Sequence, residues 1–146
     1  MVHAIGGDFE PAAGDPLTVR TLAVFFDVLR VLVEGGATVV AEAAFQDRLW
    51  RQGLDPLTEL AELRVVQCHV DPRVGRQRRR AAHDAGPGKA HAQLIGESVE
   101  DWQRAYESFE RLSLDAPSID VDTTDGYTPS LVEIVGFVER DQQAAA

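Results

Sequence analysis

The sequence predicts an α/β fold in which helices cover both faces of a parallel sheet, giving three layers. Segments with apolar residues at helical spacing alternate along the chain with short apolar segments of strand type. Asp-Pro pairs, which suit the cap and first turn of a helix, open several of the helical segments. At 146 residues the chain has the length of one domain with an ordinary hydrophobic core.

The first element is a long helix. Asp15 and Pro16 supply its cap and first turn, and Gly35-Gly36 ends it. Between these signals, apolar residues recur at helical spacing: Leu22, Phe25, Phe26, Leu29 and Leu32.

A strand and two short helices come next. Residues 37–41 (Ala-Thr-Val-Val-Ala) form an apolar run of strand type, with Glu42 at its end. The pattern then predicts a helix over 45–51 and a second short helix from Asp55-Pro56 to about Leu63.

Residues 63–70 predict the second strand, which Asp71-Pro72 closes. Pro72 can head the next helix, which is rich in arginine: Arg73, Arg76, Arg78, Arg79 and Arg80. A break at 84–88, which contains two glycines and a proline, follows this helix.

The last third of the chain predicts two helices and a strand. Ser98 and Asp101 form a capping box that opens a helix through about Phe109. Residues 119–122 are a third strand candidate, and Thr128-Pro129 opens the final helix.

The predicted strands place three carboxylates on one rim of the sheet. Glu42, Asp71 and Asp122 each fall at the carboxyl end of a strand. Open parallel sheets bind their ligands at this end. The sequence therefore indicates this rim as a candidate ligand-binding site.

Composition excludes some functions. The chain carries 24 acidic and 14 basic side chains, a formal charge of -10, which argues against a general nucleic-acid binder. No apolar stretch approaches the roughly 20 residues of a membrane span, so we expect no membrane partner and a cytoplasmic location. Cys68, the one cysteine, is expected to be a small buried core residue. His69 has no second histidine at ligand spacing, so we expect no metal site.

Several segments match one family in their order and spacing. They are residues 36–45, residues 65–72, the arginine-rich stretch 73–80, Ala90-His91 and residues 122–127. Together they resemble the small P-loop kinases, an AAA-type ATP-binding group that includes zeta-toxin-like and chloramphenicol-phosphotransferase-like proteins. The resemblance covers roughly residues 17 to 140, and it implies a P-loop NTPase-like fold.

The resemblance also implies roles for individual residues. Glu42 matches an acidic residue that organises magnesium or deprotonates the acceptor hydroxyl. Arg76 and Arg80 match lid arginines that neutralise charge on the transferring phosphoryl group, and the cofactor-binding positions match Arg73, His91, Thr123 and Tyr127. The implied cofactors are ATP and Mg²⁺, and the implied partners are a nucleotide and a small-molecule hydroxyl substrate. A rim carboxylate without a task, a solvated basic helix and a turn before a capped helix are alternative interpretations of these residues.

The phosphate loop of such kinases, with the strand before it and the helix after it, has no counterpart in the sequence. Gly86-Pro87-Gly88-Lys89 lacks the first glycine and the hydroxyl of that motif. We therefore expect an N-terminally truncated kinase domain over residues 1–141, with a lid at about 73–97 and a disordered tail at 142–146. Such a chain should be inactive as it stands.

A non-catalytic binding or interaction module derived from the kinase fold is the alternative, and an α/β domain of another family also stays open. A homodimer is a further expectation, because strand exchange between two copies can complete the sheet.

Overall fold

The computed structural model describes residues 16–84 and 98–139, which form a mixed α/β structure. Within these residues the elements are, in order, α1 (Pro16–Glu34), α2 (Asp47–Leu54), a 3₁₀ helix (Asp55–Glu59), β1 (Val65–His69), α3 (Pro72–Asp84), α4 (Val99–Glu107), β2 (Ser118–Asp122) and α5 (Leu131–Glu139). The α/β class is confirmed. None of the described helices is long and apolar enough to cross a bilayer.

The end of α1 follows the predicted glycine signal. The N–H of Gly36 donates to the carbonyl of Val33, and the N–H of Ala37 donates to that of Leu32, both at 2.9 Å. This pair of bonds is a Schellman motif. Gly36 has a φ of 79°, in the left-handed region that glycine enters at little cost. Gly35-Gly36 therefore ends the helix as expected.

The main core lies between α1, α2 and the segment that leads into β2. Its buried residues are Leu29, Leu54, Leu57 and Leu112. Four half-buried rings pack against them, here called the aromatic cluster: Phe25, Phe26, Phe45 and Trp50. Their centroids are 4.8 to 6.4 Å apart in edge-on contacts, the preferred geometry for aromatic pairs. This packing fixes α1 against α2.

The strand predicted at 37–41 does not form. Residues 37–45 run on from α1 without regular secondary structure. Val39 and Ala41 pack against the main core, whereas Val40 between them is 93% exposed. The alternation typical of a strand is therefore present, but no ladder of hydrogen bonds accompanies it in the described part of the chain. The placement of Glu42 at a strand end is consequently wrong.

The two described strands pair in parallel. Val65 lies opposite Ser118, and the register continues to His69 opposite Asp122. Along β1, residues 65, 67 and 69 are half-buried and residues 66 and 68 are exposed. Cys68 is thus exposed, and the expectation that it is a core residue is wrong. Val65, on the other face of β1, packs against the main core, whereas Val121, which lies opposite Cys68, is 1% exposed.

Hydrogen bonds and an ion pair connect the sheet to the segment before β2. Gln67 donates through Nε2 to the carbonyl of Leu112 at 3.0 Å. Arg111 donates through Nε to Oε1 of Gln67 at 3.3 Å and forms an ion pair with Asp120. These contacts hold the segment from Arg111 to Leu112 over β1, where Leu112 enters the main core.

Candidate functional site

The residues that follow the two strands are joined to each other by hydrogen bonds. Thr123 donates twice to the carbonyl of His69, from its backbone N–H at 2.8 Å and from its hydroxyl at 2.9 Å. Asp71 and Asp122 thereby share the carboxyl end of the sheet, the end at which open parallel sheets bind ligands. Two of the three predicted rim carboxylates are brought to this end.

Asp71 caps α3. Its Oδ1 accepts hydrogen bonds from the N–H groups of Arg73 at 2.9 Å and Val74 at 3.3 Å, the N2 and N3 positions of the helix when Pro72 is N1. Its own N–H donates to the hydroxyl oxygen of Thr124 at 2.8 Å. The Asp71 carboxylate therefore has a structural task in setting the direction of α3.

The side chain of Asp122 is hydrogen-bonded to Thr124, two positions later in the chain. Its Oδ1 accepts from the backbone N–H of Thr124 at 2.8 Å. The Thr124 hydroxyl, this N–H and the nearby His69 all keep the pKa of Asp122 below its ordinary value. Thr124 thus links the two strand ends, because its hydroxyl oxygen accepts from Asp71 and its hydrogen-bonding groups serve Asp122.

Arg78 fixes α3 to the loop after β2. Its Nη1 donates to the carbonyl of Thr123 at 2.7 Å, and its Nη2 donates to that of Thr124 at 3.0 Å. One guanidinium thus holds two successive carbonyls in a fork geometry. The sequence alone indicates no role for Arg78, since a backbone carbonyl 45 positions away leaves no trace in it. In the sequence, only its helical spacing, which places Arg78 on a different side of α3 from Arg73, Arg76 and Arg80, sets it apart from them.

The opposite side of α3 carries three of the predicted site residues. Arg73, Arg76 and Arg80 are three and four positions apart, so they share one helix face. Together with Gln77 they line an open groove of about 250 Å³. We call these three side chains the arginine face. It extends over seven positions, roughly 10 Å at 1.5 Å per residue, and Arg78 lies on the other side of the helix.

The loop after β2 carries the two other described candidates, Thr123 and Tyr127. Asp122 and Thr128 form an antiparallel bridge with bonds of 2.8 and 3.0 Å, which closes this loop. Gly126 has a φ of 81° and lets the chain turn back. Tyr127 is exposed next to this turn, whereas the Thr123 hydroxyl is engaged by the carbonyl of His69.

The remaining predicted residues are not part of this arrangement. Glu42 is exposed on the irregular segment 37–45, away from any described strand. His91 lies outside the described residues, as do the glycine loop at 86–89 and the tail at 142–146. Over residues 16–84 and 98–139, no group of three or more His, Cys, Asp or Glu side chains is arranged to hold a metal ion.

No protein-family model, curated protein or solved structure matches this chain. The local geometry is therefore what bears on its function: a fixed helix, a face of three arginines and a hydrogen-bonded loop at the carboxyl end of a parallel strand pair.

Proposed function

We propose that this chain binds the phosphate groups of a nucleotide with the arginine face of α3, as part of an ATP-dependent kinase-like protein that phosphorylates a small-molecule hydroxyl. The observation that carries the proposal is the groove lined by Arg73, Arg76 and Arg80. These three cations form a local basic face in a chain whose formal charge is -10. An anion with several charges in a row would suit this groove.

Guanidinium chemistry favours phosphate over other anions. Arginine presents planar N–H donors that match phosphate oxygens in pairs, and it keeps its charge at any physiological pH. A triphosphate spreads several negative charges along a chain, which suits cations distributed over roughly 10 Å of helix. The arginine face therefore suits a nucleoside triphosphate better than a single carboxylate.

The anchoring of α3 supports binding further. Asp71 caps the helix, and Arg78 attaches it to the carbonyls of Thr123 and Thr124. Because the helix backbone is already held, an arriving anion would need to order only the arginine side chains. Preorganised groups of this kind lose less free energy on binding.

The kinase part of the proposal rests on the family resemblance. Arg76 and Arg80 would neutralise charge on the phosphoryl group in transfer, where electrostatics supply most of the catalysis. Glu42 would act on the acceptor hydroxyl, and Thr123 and Tyr127 would lie near the base of the nucleotide. The layered P-loop arrangement and a cytoplasmic location belong to the same proposal. Mg²⁺ is usually held by one or two carboxylates together with nucleotide phosphates, so in this proposal the ion would enter with the nucleotide; over residues 16–84 and 98–139 no group of three or more His, Cys, Asp or Glu side chains is arranged to hold a metal ion.

One observation favours the second candidate, a binding module without turnover. Glu42 lies on segment 37–45 and not at the end of a strand beside Asp71 and Asp122. A chain that keeps the arginine face without a carboxylate in reach of the acceptor would bind the nucleotide but would not transfer its phosphate.

A nucleotide titration tests the proposal. We expect ATP to bind in a salt-dependent manner, and we expect Arg76→Ala and Arg80→Ala each to weaken binding about tenfold, as the loss of a charged hydrogen bond does. Arg48→Ala is the matched control, because Arg48 is an exposed arginine on α2. Equal affinity of all three variants and the wild type would refute the phosphate site.

Because the chain is expected to be inactive without the phosphate loop of such kinases, turnover measured with that segment supplied separates the two candidates. If ADP forms in the presence of an acceptor, Glu42→Gln should lower the rate and leave the affinity for ATP unchanged. If ATP binds without turnover, the binding module is the correct description.

A further inference from the structure

The side of α1 that faces away from the main core is apolar as well. Val24, Val28 and Val31 on this side are 59%, 52% and 67% exposed. With Leu32 and Asp27 they line a shallow groove of about 280 Å³. A helix that is apolar on opposite sides is normally buried on both. Among the described residues, α2 and the aromatic cluster cover only one of them.

The spacing of these valines is that of a coiled-coil seam. Val24 and Val28 are four positions apart and Val31 follows three positions later, as the core positions of a heptad repeat do. Thr21 and Gly35 continue the same seam in either direction. The shape of the groove thus suits one further helix.

The charged residues beside the seam indicate which helix would fit against it. Arg20, Asp27 and Glu34 follow one another at seven-residue intervals and lie along one side of it, with the basic residue near the start of α1 and an acidic residue at its end. In antiparallel pairing with a second α1, Val24 lies opposite Val28 of the other copy. Arg20 of each copy then lies beside Glu34 of the other.

We propose that α1 pairs antiparallel with α1 of a second copy of this chain, through the seam of Val24, Val28 and Val31. Parallel pairing would bring the charged side of one seam next to the apolar side formed by Phe25 and Leu32, and would form no ion pairs. Antiparallel pairing forms two. Arg20 keeps the interaction that it has within the chain, since a guanidinium has five N–H donors.

The same register has one unfavourable contact. Asp27 lies midway between Arg20 and Glu34, so it faces Asp27 of the second copy. Like charges at this distance repel, and the replacement Asp27→Asn should strengthen the dimer.

Analytical ultracentrifugation over a range of protein concentrations tests the proposal. We expect a reversible dimer for the wild type, and Val28→Glu should raise its dissociation constant about tenfold or more because a carboxylate enters the apolar seam. Val132→Glu is the matched control. It adds the same charge at an exposed valine on α5, and its dimer should persist. A monomeric wild type, or equal weakening by the two variants, would overturn the proposal.

A charge exchange tests the register. Arg20→Glu and Glu34→Arg should each weaken the dimer, and the double variant should restore it, because each copy then presents the reversed pair. Double-variant dimers no tighter than those of the single variants would overturn the antiparallel arrangement. Nucleotide binding by the arginine face is measured separately, so a failure here leaves the proposed function intact.

Discussion

Replacing Gly53 by alanine should destabilise the protein, although the same replacement at Gly136 should stabilise it. Both glycines lie in helices without a positive φ, so alanine gains about 0.5 to 1 kcal/mol of helix stability at either position. At Gly136 an added Cβ meets no heavy atom within 4 Å, and this gain is the whole effect. At Gly53 the added Cβ would overlap the ring of Phe26.

The Phe26 ring has little room to move aside. It meets the rings of Phe25 and Trp50 at centroid distances of 5.9 and 5.7 Å, and Trp50 is itself held by Phe45 at 4.8 Å. Overpacking of a core costs about 1 to 3 kcal/mol, which exceeds the helix gain. We therefore expect Gly53→Ala to lose about 1 to 2 kcal/mol.

Urea and thermal unfolding followed by circular dichroism measure this difference. The melting temperature should fall for Gly53→Ala and rise for Gly136→Ala, by roughly 2 to 8 °C per kcal/mol. A Gly53→Ala protein as stable as Gly136→Ala would refute the packing of the aromatic cluster against α2.

Three further predictions concern single residues. Gly36→Ala has space for its Cβ but places alanine at a φ of 79°, so it should lose about 1 to 2 kcal/mol in urea unfolding; a loss near zero would contradict the Schellman motif. Asp71→Ala removes the cap of α3 and should cost about 1 kcal/mol, whereas Asp71→Asn should keep most of it; equal losses would contradict the cap. The pKa of Asp122 lies below its ordinary value, so its carboxylate stabilises the folded state above about pH 4 and loses this effect as the pH falls through the folded pKa. Asp122→Asn should therefore flatten the decline in unfolding free energy at acidic pH, and an unchanged profile would remove Asp122 from the acid response.

Local signals predicted the helices well. The capping carboxylate of Asp71, the fixed φ of Pro72 and the left-handed Gly36 act on neighbouring backbone groups only, so they can be recognised without knowing the fold. The bounds of α1 and α3 follow from such signals.

Pairing and burial were harder to predict because they depend on distant parts of the chain. Residues 37–41 have the composition of a strand, yet a strand also needs a neighbour to bond with, and its own sequence does not specify one. Val66, Cys68 and Val70 alternate with Gln67 and His69, so the pattern alone favours burial of the face that carries Cys68. In the folded chain Val65 contacts the main core and Cys68 is exposed, although Val121 opposite Cys68 is buried.

The candidate site divides in the same way. The helical spacing of Arg73, Arg76 and Arg80 was sufficient to place them on one face, because 3.6 residues per turn is a local property. The task of Arg78 depends on carbonyl groups of a loop that folds against α3, and carbonyls are common to every residue. Glu42 was placed by the strand expected before it, so its position was wrong when that strand did not form.

The strand pair has a consequence for the order of folding events. His69 and Thr123 are 54 positions apart where they meet, and closing a loop of that length costs roughly 3.5 kcal/mol of chain entropy before any contact offsets it. The helices α1 and α2 meet through contacts much nearer in sequence, so we expect their aromatic cluster to assemble first and the strand pair to close late. In a Trp102→Phe variant, which keeps Trp50 as its tryptophan, the fluorescence should then reach its native value before amide protons of β1 and β2 become protected from exchange. The two ends of the connection between β1 and β2, which contains α3, would be brought together only when the strands pair. The loop that Arg78 holds would therefore be the last part of the molecule to become ordered.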